Sequence, residues 1–393
     1  MLNKKTIEDV EVNSKRVLVR CDFNVPLDTE DKSVITNDKR IVESLPTINY
    51  LLSHGAKVIL CSHIGKTKDG LSLKPVAKRL GELLNKEVPL LEDVVGDSVK
   101  SVVDNMNDGD VVLLENVRKF KEEEANDKTF AKSLASLADI YVNDAFGTAH
   151  RAHASTVGVT EFLPAYAGFL IEKELNALDK GINSPVRPLV AIIGGSKVSS
   201  KISVLTELLN KVDTLLIGGG MAFTFVKALG GKIGTSLCEE DRLEEALDIL
   251  EKAKENGVKV VMTSDVYTAD SYSNDALKGY ADVFNIPDDV MGLDVGPKTL
   301  AAFEEEIKTA GTVVWNGPVG VAEFSNYANG TNELAKYIAE SSAISIIGGG
   351  DSAAAVIKAG FEDKMTHIST GGGASLEFME GKTLPGIAAL LDK

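Results

Sequence analysis

LVAIIGGSKVSSK, residues 189–201, sets the reading of this chain. Five consecutive apolar residues without alternation fit a strand covered on both faces, as in a parallel sheet flanked by helices. The strand runs into Gly194-Gly195-Ser196-Lys197, and a helix-length amphipathic stretch follows from Lys201 to Lys211. The same grammar recurs throughout. In the second half LLI (215–217) runs into Gly218-Gly219-Gly220, VVW (313–315) into Asn316-Gly317-Pro318, SII (345–347) into Gly348-Gly349-Gly350-Asp351, and HIST (367–370) into Gly371-Gly372-Gly373. In the first half VLV (17–19) runs into Arg20-Cys21-Asp22-Phe23-Asn24, VILC (58–61) into Ser62-His63, VVLL (111–114) into Glu115-Asn116-Val117-Arg118, and IYV (140–142) into Asn143-Asp144. Amphipathic stretches at Lys74–Asn85, Asp127–Ala138, Glu239–Asn256 and Thr331–Ser341 alternate with these strands. The predicted fold is therefore α/β, with doubly wound parallel sheets of Rossmann-like architecture. In such sheets ligands sit beyond the carboxyl ends of the strands, where the quoted loops fall.

The chain's 393 residues exceed one ordinary core, and the boundary between two domains is legible. GFLIEKELNALDK (168–180) reads as a helix with Leu170, Leu175 and Leu178 on one stripe, and the turn-rich GINSPVRP (181–188) ends it. The expected domains are residues 1–167 and 185–380, joined by an interdomain helix and linker at 168–184, with 381–393 as a tail.

A net charge of −16 argues against nucleic acid or an anionic membrane as partner, since both demand a basic face. No run approaches the roughly 20 apolar residues of a membrane helix, and the first residues carry no secretory pattern. Cys21, Cys61 and Cys238 are far apart and lack a CxxC pair, which fits reduced thiols in the cytoplasm and neither a disulfide framework nor a zinc site. Against the acidic background, six of the eight arginines and four of the five histidines precede residue 154. Arginine's planar fork suits carboxylate and phosphate, so this concentration marks an anion site.

The two halves thus use opposite chemistry. Arg20, Arg40, His63, Arg118 and Arg151 leave separate loops that one sheet edge would gather, with Asp22 and Asn24 available for a hydroxyl. Any one of these arginines alone reads more readily as a surface ion pair than as a ligand, and His150 and His153 read equally as packed loop residues. In the second half, bare glycine backbone at helix starts would face phosphates, and Lys197 and Lys201 share a helix face. Neither GxxxxGK[ST] nor GxGxxG is present. Asp351 beside the glycine triplet either caps its helix or holds magnesium next to bound phosphates. This division fits phosphoryl transfer, which asks mainly for positioning and charge neutralisation. An alcohol acceptor would need a base, for which Asp22, Asp144 and the histidines are candidates that spacing does not separate. A carboxylate acceptor would need none.

These loops, in this order, resemble the phosphoglycerate kinase family along essentially the whole chain. The carriers are RCDFNVP (20–26), SHIG (62–65), ENVR (115–118), residues 143–155, residues 194–201, GGGMAFTF (218–225), WNGPVG (315–320), GGGDS (348–352) and STGGGASL (369–376). The resemblance implies two lobes facing a cleft, a tail that returns to the first, and a monomer. It implies the glycolytic, reversible transfer of the acyl phosphate of 1,3-bisphosphoglycerate to Mg-ADP, giving 3-phosphoglycerate and ATP. On the acid side it implicates Asp22, Phe23, Asn24, Arg40, His63, Ile64, Gly65, Lys66, Arg118 and Arg151, although Lys66-Thr67 stands where the family usually has Arg-Pro. For the nucleotide it implicates Lys201, Gly218, Gly219, Gly220, Gly292, Asn316, Glu323, Gly349, Gly350, Asp351 and Ser352, with Mg2+ on Asp351. Arg40, Lys197, Gly350 and Gly373 would attend the moving group. The rival readings are a binding protein that closes on an anion without chemistry and a nicotinamide-dependent dehydrogenase. The first leaves Lys197, Lys201 and Asp351 idle, and the second lacks its glycine fingerprint.

Overall fold

The computed structural model describes residues 3–393, and its contacts divide the chain into two units. The first runs as far as Asn176 and takes in Thr383–Lys393; the second is Ala177–Lys382. The division falls inside the helix Phe169–Ile182.

The first unit is built on β1 (Arg16–Cys21), β2 (Lys57–Cys61), β3 (Val111–Leu113), β4 (Ile140–Asp144) and β5 (Ala165–Ala167). They form one parallel sheet in the order β3-β2-β1-β4-β5. Val17, Val19, Val58 and Leu60 are buried against Ile41, Ile48 and Leu51 of helix Lys39–Ser53 and Val76 and Leu80 of helix Lys74–Leu84. Each such aliphatic side chain contributes about 1.5–3 kcal/mol when fully buried, so the strands are held chiefly from their faces. Arg20 lies level with Cys61 and Asn143, which sets the loops after β1, β2 and β4 side by side. The last residues belong to this unit. Gly386 donates its N–H to the Ala149 carbonyl (2.8 Å), the Asn143 amide donates to the Gly386 carbonyl (3.0 Å), and Lys4 pairs with Asp392 (2.8 Å).

The second unit contains β6 (Leu189–Ile193), β7 (Thr214–Ile217), β8 (Lys232–Ile233), β9 (Lys259–Met262), β10 (Asp265–Ala269), β11 (Lys278–Asp282), β12 (Asn285–Ile286), β13 (Met291–Val295), β14 (Thr312–Asn316), β15 (Ile344–Gly348) and β16 (His367–Ile368). Its main sheet is parallel, in the order β16-β15-β14-β6-β7-β9. Asn316 at the end of β14 is level with Ile193 on one side and Gly348 on the other, so three glycine loops leave the sheet together. Trp315 is fully buried beneath them and donates its indole N–H to the Gly317 carbonyl (2.7 Å). A smaller antiparallel sheet, β11-β10-β13, and the short pair β12-β8 complete the unit. Every apolar run quoted from the sequence begins in a strand of the two large sheets, which is the doubly wound α/β class expected. No helix among the described residues is long and apolar enough to cross a membrane.

Candidate active site

The first unit gathers its cations around the loop after β2. Arg40, near the start of helix Lys39–Ser53, donates to Asp22 Oδ2 (3.0 Å) and to the Asn24 carbonyl (3.2 Å). Asn24 Oδ1 accepts from Gly65 N–H (2.9 Å), so the β1 loop is tied to the β2 loop. Asn116 binds that loop from the other side: its amide donates to the carbonyls of Ile64 (2.9 Å) and Leu71 (2.8 Å), and its Oδ1 accepts from Ile64 and Arg118 N–H. The residue carries no charge and was not singled out by sequence reasoning; its place between two named loop residues was the available signal. Arg118 is 5% exposed and donates Nη1 to the Gly65 carbonyl (2.7 Å), yet its Nε and Nη2 have no hydrogen-bond partner. Leaving such donors buried costs about 1–3 kcal/mol. Arg151 is exposed beside His150, and Lys66 is exposed, with its main-chain N–H on Asp69 Oδ2 (2.7 Å) and its carbonyl accepting from Asp69 N–H (2.9 Å). Phe23 and Ile64 are buried among core side chains, so they can offer a ligand only main chain.

Arg20 differs from its neighbours. β1 extends through Cys21, so Arg20 is a strand residue, fully buried, with its guanidinium on Ser155 Oγ (2.7 Å), the Cys21 carbonyl and His63 Nδ1 (3.1 Å). It supports the site from beneath and is not one of the surface cations. Its counter-charge is Glu123, fully buried, which accepts from Ser155 N–H (2.9 Å) and Ser155 Oγ (2.5 Å). Glu123 lies in a KEEE run that reads as solvated surface, so nothing in the sequence pointed to it. Burial raises its carboxyl above the usual range against the pull of Arg20 and Ser155. Burial and the surrounding Arg20, Arg118, Arg40 and Arg151 push His63 well below its ordinary value, and burial with Arg118 pushes His153 down to about 4. Both imidazoles are therefore neutral near pH 7. Asp144, a candidate base on sequence grounds, is buried and accepts from Leu170 N–H (2.9 Å) at the start of helix Phe169–Ile182. It anchors that helix and does not reach the cationic loops' surface.

The second unit presents bare backbone. Gly219 has φ +70°, and a Cβ there would lie 2.6 Å from the Gly195 nitrogen, so only glycine lets these two loops touch. Ser352 is buried and its hydroxyl accepts from Gly317 N–H (2.7 Å), which ties the β14 loop to the helix Gly350–Lys358. Ser352 is fully buried and its oxygen accepts there, so a ligand meets chiefly its main chain. The N-cap of this helix is Gly349, with no side-chain cap bond, so Asp351 is not the cap; its carboxylate is exposed at the first turn. Lys201 Nζ donates to Asn316 Oδ1, and burial depresses its pKa against the opposing pull of Asp351. Lys197 is exposed, and Gly350 has open space where a Cβ would stand. Gly373 opens the short helix after Gly372.

These loops border a cavity of about 250 Å³. Gly195, Gly219, Gly220 and Asp351 line one part of it, and Gly292, Val321 and Glu323 others. A Cβ at Gly292 would lie 2.3 Å from the Phe223 ring, so glycine is what leaves that wall flat. Tyr272, also lining the cavity, donates its hydroxyl to Glu323 Oε1 (2.9 Å) and packs on Phe324 (4.9 Å between rings). Gly218 packs against Val319 beneath the lining. Phe223, Leu237 and Tyr272 were not singled out in the sequence, because adenosine-type walls need only shape and carry no charge pattern.

An apolar-walled slot ending in glycine amides, a lysine and a carboxylate is suited to a nucleotide polyphosphate. The Phosphoglycerate kinase family profile matches residues 7–382. The chain is 59% identical over 398 residues to phosphoglycerate kinase of Clostridium tetani, covering 100% of this chain and 98% of that protein. The chain belongs to the phosphoglycerate kinase family. The corresponding protein of Clostridium botulinum is also 59% identical, over 100% of this chain and 99% of its own. Among solved structures, phosphoglycerate kinase from Coxiella burnetii superposes with a TM-score of 0.88 at 44% identity, covering 98% of each chain. That from Pyrococcus horikoshii OT3 gives 0.86 at 33% identity, covering 99% of this chain and 98% of its own. Membership in the phosphoglycerate kinase family makes the chain a kinase of glycolysis, a phosphotransferase whose acceptor is a carboxyl group.

Proposed function

We propose that the first unit holds the phosphoglycerate and the second the magnesium nucleotide, and that the acyl phosphate passes from 1,3-bisphosphoglycerate to Mg-ADP. The observation that carries this assignment is Arg118, buried with two guanidinium nitrogens that lack hydrogen-bond partners. A phosphate on the acid would satisfy both with charge-assisted bonds. His63 and Arg151 join Arg118 around that phosphate. Asp22 and Asn24 orient the glycerate portion, with main-chain groups of Phe23, Ile64 and Gly65 nearby and Lys66 as an exposed cation at the rim. Arg40, held by Asp22 and the Asn24 carbonyl, is placed for the carboxyl end.

On the nucleotide side Gly219, Gly220 and Gly292 line the adenosine slot with Gly218 beneath them, Glu323 takes the ribose, and Lys201 with Asn316 meets the phosphates. Gly349, Gly350 and Ser352 supply main-chain N–H groups at the start of the helix Gly350–Lys358, where the dipole favours an anion. No group of three His, Cys, Asp or Glu side chains that could hold a metal occurs among the described residues. One exposed carboxylate, Asp351, beside a phosphate site is what a magnesium ion needs when its other ligands are phosphate oxygens and water. Such an ion neutralises phosphate charge when bound.

In the transfer, a β-phosphate oxygen of ADP forms a bond to phosphorus as the bond from phosphorus to the acyl oxygen breaks, leaving the carboxylate of 3-phosphoglycerate. Both oxygens are ionised, so no general base is required. The residues' work is to neutralise three equatorial oxygens: Arg40 from the acid side, Lys197 and the N–H groups of Gly350 and Gly373 from the nucleotide side. Turnover therefore requires the two bound partners to meet and exclude water that would hydrolyse the acyl phosphate. We assign the enzyme to the cytoplasm, in keeping with its three free cysteines, and read it as a monomer. An assay of ATP formation from an acyl-phosphate donor, with and without magnesium, tests the reading. Asp351→Ala should abolish turnover while 3-phosphoglycerate still binds; loss of acid binding instead would contradict the divided assignment.

A further inference from the structure

The buried polar chain beneath the acid site has a direction that can be read donor by donor. Glu123 is an acceptor at both oxygens, taking Ser155 N–H at 2.9 Å and the Ser155 hydroxyl hydrogen at 2.5 Å. With its hydrogen spent on Glu123, Ser155 Oγ has only lone pairs to offer Arg20 Nε, 2.7 Å away. Arginine has five N–H donors, no acceptor, and does not deprotonate in proteins. Arg20 Nη2 stands 3.1 Å from His63 Nδ1, so Nδ1 must be the acceptor and carries no hydrogen. The ring's one remaining proton is then on Nε2.

We infer that Arg20, braced by Ser155 and Glu123, is a positioning residue that locks His63 as the neutral Nε2–H tautomer and so aims a hydrogen-bond donor at the phosphate of the bound acid. The donor role rests on the acid-site reading proposed above; the tautomer does not. Burial, and after it Arg20, Arg118, Arg40 and Arg151, oppose a second proton on the ring, and the carboxylates of Asp22 and Glu123 are taken up by Arg40 and Ser155. A neutral donor in that crowd has a specific use. It adds a hydrogen bond to phosphate without adding repulsion among the guanidinium groups when the site is empty. An unbraced ring would divide between two tautomers, one of which would turn a lone pair toward an anion.

Long-range 1H–15N correlation of the histidine rings in the whole 15N-labelled enzyme reads this directly. His63 should show a protonated Nε2 and an unprotonated Nδ1 throughout roughly pH 5–8, and saturating 3-phosphoglycerate should shift the Nε2 resonance. Ser155→Ala, which removes the brace, should give a mixture of tautomers and raise KM for 3-phosphoglycerate roughly threefold to tenfold, with KM for Mg-ADP unchanged. Glu123→Gln, which keeps the shape but offers one acceptor oxygen in place of two, should move both readouts the same way. A protonated Nδ1 in the wild-type enzyme overturns the inference without any variant having to fold. A protonated Nε2 that does not respond, while the Arg40 and Arg118 signals do, overturns the donor role. If 3-phosphoglycerate moves no signal from these cations, the acid-site reading itself fails and takes the donor role with it.

Discussion

Arg118 and Arg20 stand at the ends of equally clear strands and do opposite things. Arg118 follows β3 by several residues, in a loop where its guanidinium is half used: Nη1 on the Gly65 carbonyl, Nε and Nη2 without hydrogen-bond partners. Arg20 belongs to β1 and is consumed inside the unit. Strand ends are uncertain by a residue or two from sequence, and for Arg20 that margin separates a loop residue from one consumed inside the sheet. Arg118→Ala should raise KM for 3-phosphoglycerate roughly tenfold or more, the worth of lost charge-assisted bonds. Stability should change by no more than about 1–2 kcal/mol, because the Nη1 bond to the Gly65 carbonyl and the ion pair with Glu124 (3.7 Å) are lost while the other two donors are already without hydrogen-bond partners. Steady-state kinetics and chemical denaturation check the pair, and an unchanged KM would return Arg118 to a structural role. Tyr272 belongs to the same scale. Its hydroxyl holds Glu323, so Tyr272→Phe should raise KM for ADP about twofold to fivefold and leave KM for 3-phosphoglycerate alone. An unchanged KM for ADP would make that bond incidental. Tyr272 was invisible in the sequence because it sits in a Ser-Tyr-Ser-Asn-Asp turn, where polar residues are expected whatever their use.

Nine of the eleven strands of the two large sheets were legible, β5 and β9 being the exceptions, because burial on both faces leaves unbroken Val, Ile and Leu runs, and few other environments do. The antiparallel sheet of β10, β11 and β13 was not, since Asp265, Thr268, Lys278 and Gly279 interrupt any apolar pattern in its strands. Helix Lys39–Ser53 contains Pro46, ordinarily a break signal, and its apolar stripe is carried by Ile41, Ile48 and Leu51 at wide spacing. The helix Phe169–Ile182 was legible, but its anchor was not: Asp144 lies some twenty-five residues earlier, a distance no local pattern reports. Burial raises the Asp144 carboxyl to about 7. Its folded value therefore exceeds its unfolded one, and the stability this group lends is complete at acid pH and lost as pH rises toward 7. Asp144→Asn keeps an acceptor for Leu170 and cannot ionise. Its stability relative to wild type should rise from about pH 4 to about pH 7 and then level off, measured as the difference between urea midpoints across pH. A flat or falling difference would show that the ionised carboxylate is favourable where it stands. Gly219→Ala tests the glycine loops at this same scale. With φ at +70° and the Gly195 nitrogen 2.6 Å from the new Cβ, it should cost about 2 kcal/mol or more and weaken ADP binding. Native stability with native affinity would mean that the loops have room to part.

Across the whole molecule, two sheets of one architecture carry ligand chemistry of opposite kinds: side-chain cations in the first unit, main-chain amides and a lone carboxylate in the second. That contrast was readable from where arginine and glycine fall along the chain, because both residue types are tied to a mechanism, the fork and the bare backbone. What lay beyond reach was the support beneath the cations, the relay of Glu123, Ser155 and Arg20, in which Ser155 lies 32 residues from Glu123 and 135 from Arg20. The division of labour is the claim on which the account turns. Calorimetric titration of 3-phosphoglycerate and of Mg-ADP into wild type, Arg118→Ala and Asp351→Ala tests it most directly. The account predicts a crossed pattern. Arg118→Ala should lose roughly tenfold to a hundredfold in affinity for the acid and keep its affinity for Mg-ADP, and Asp351→Ala should do the reverse. A folded variant that loses the other unit's ligand, or both ligands together, would contradict it.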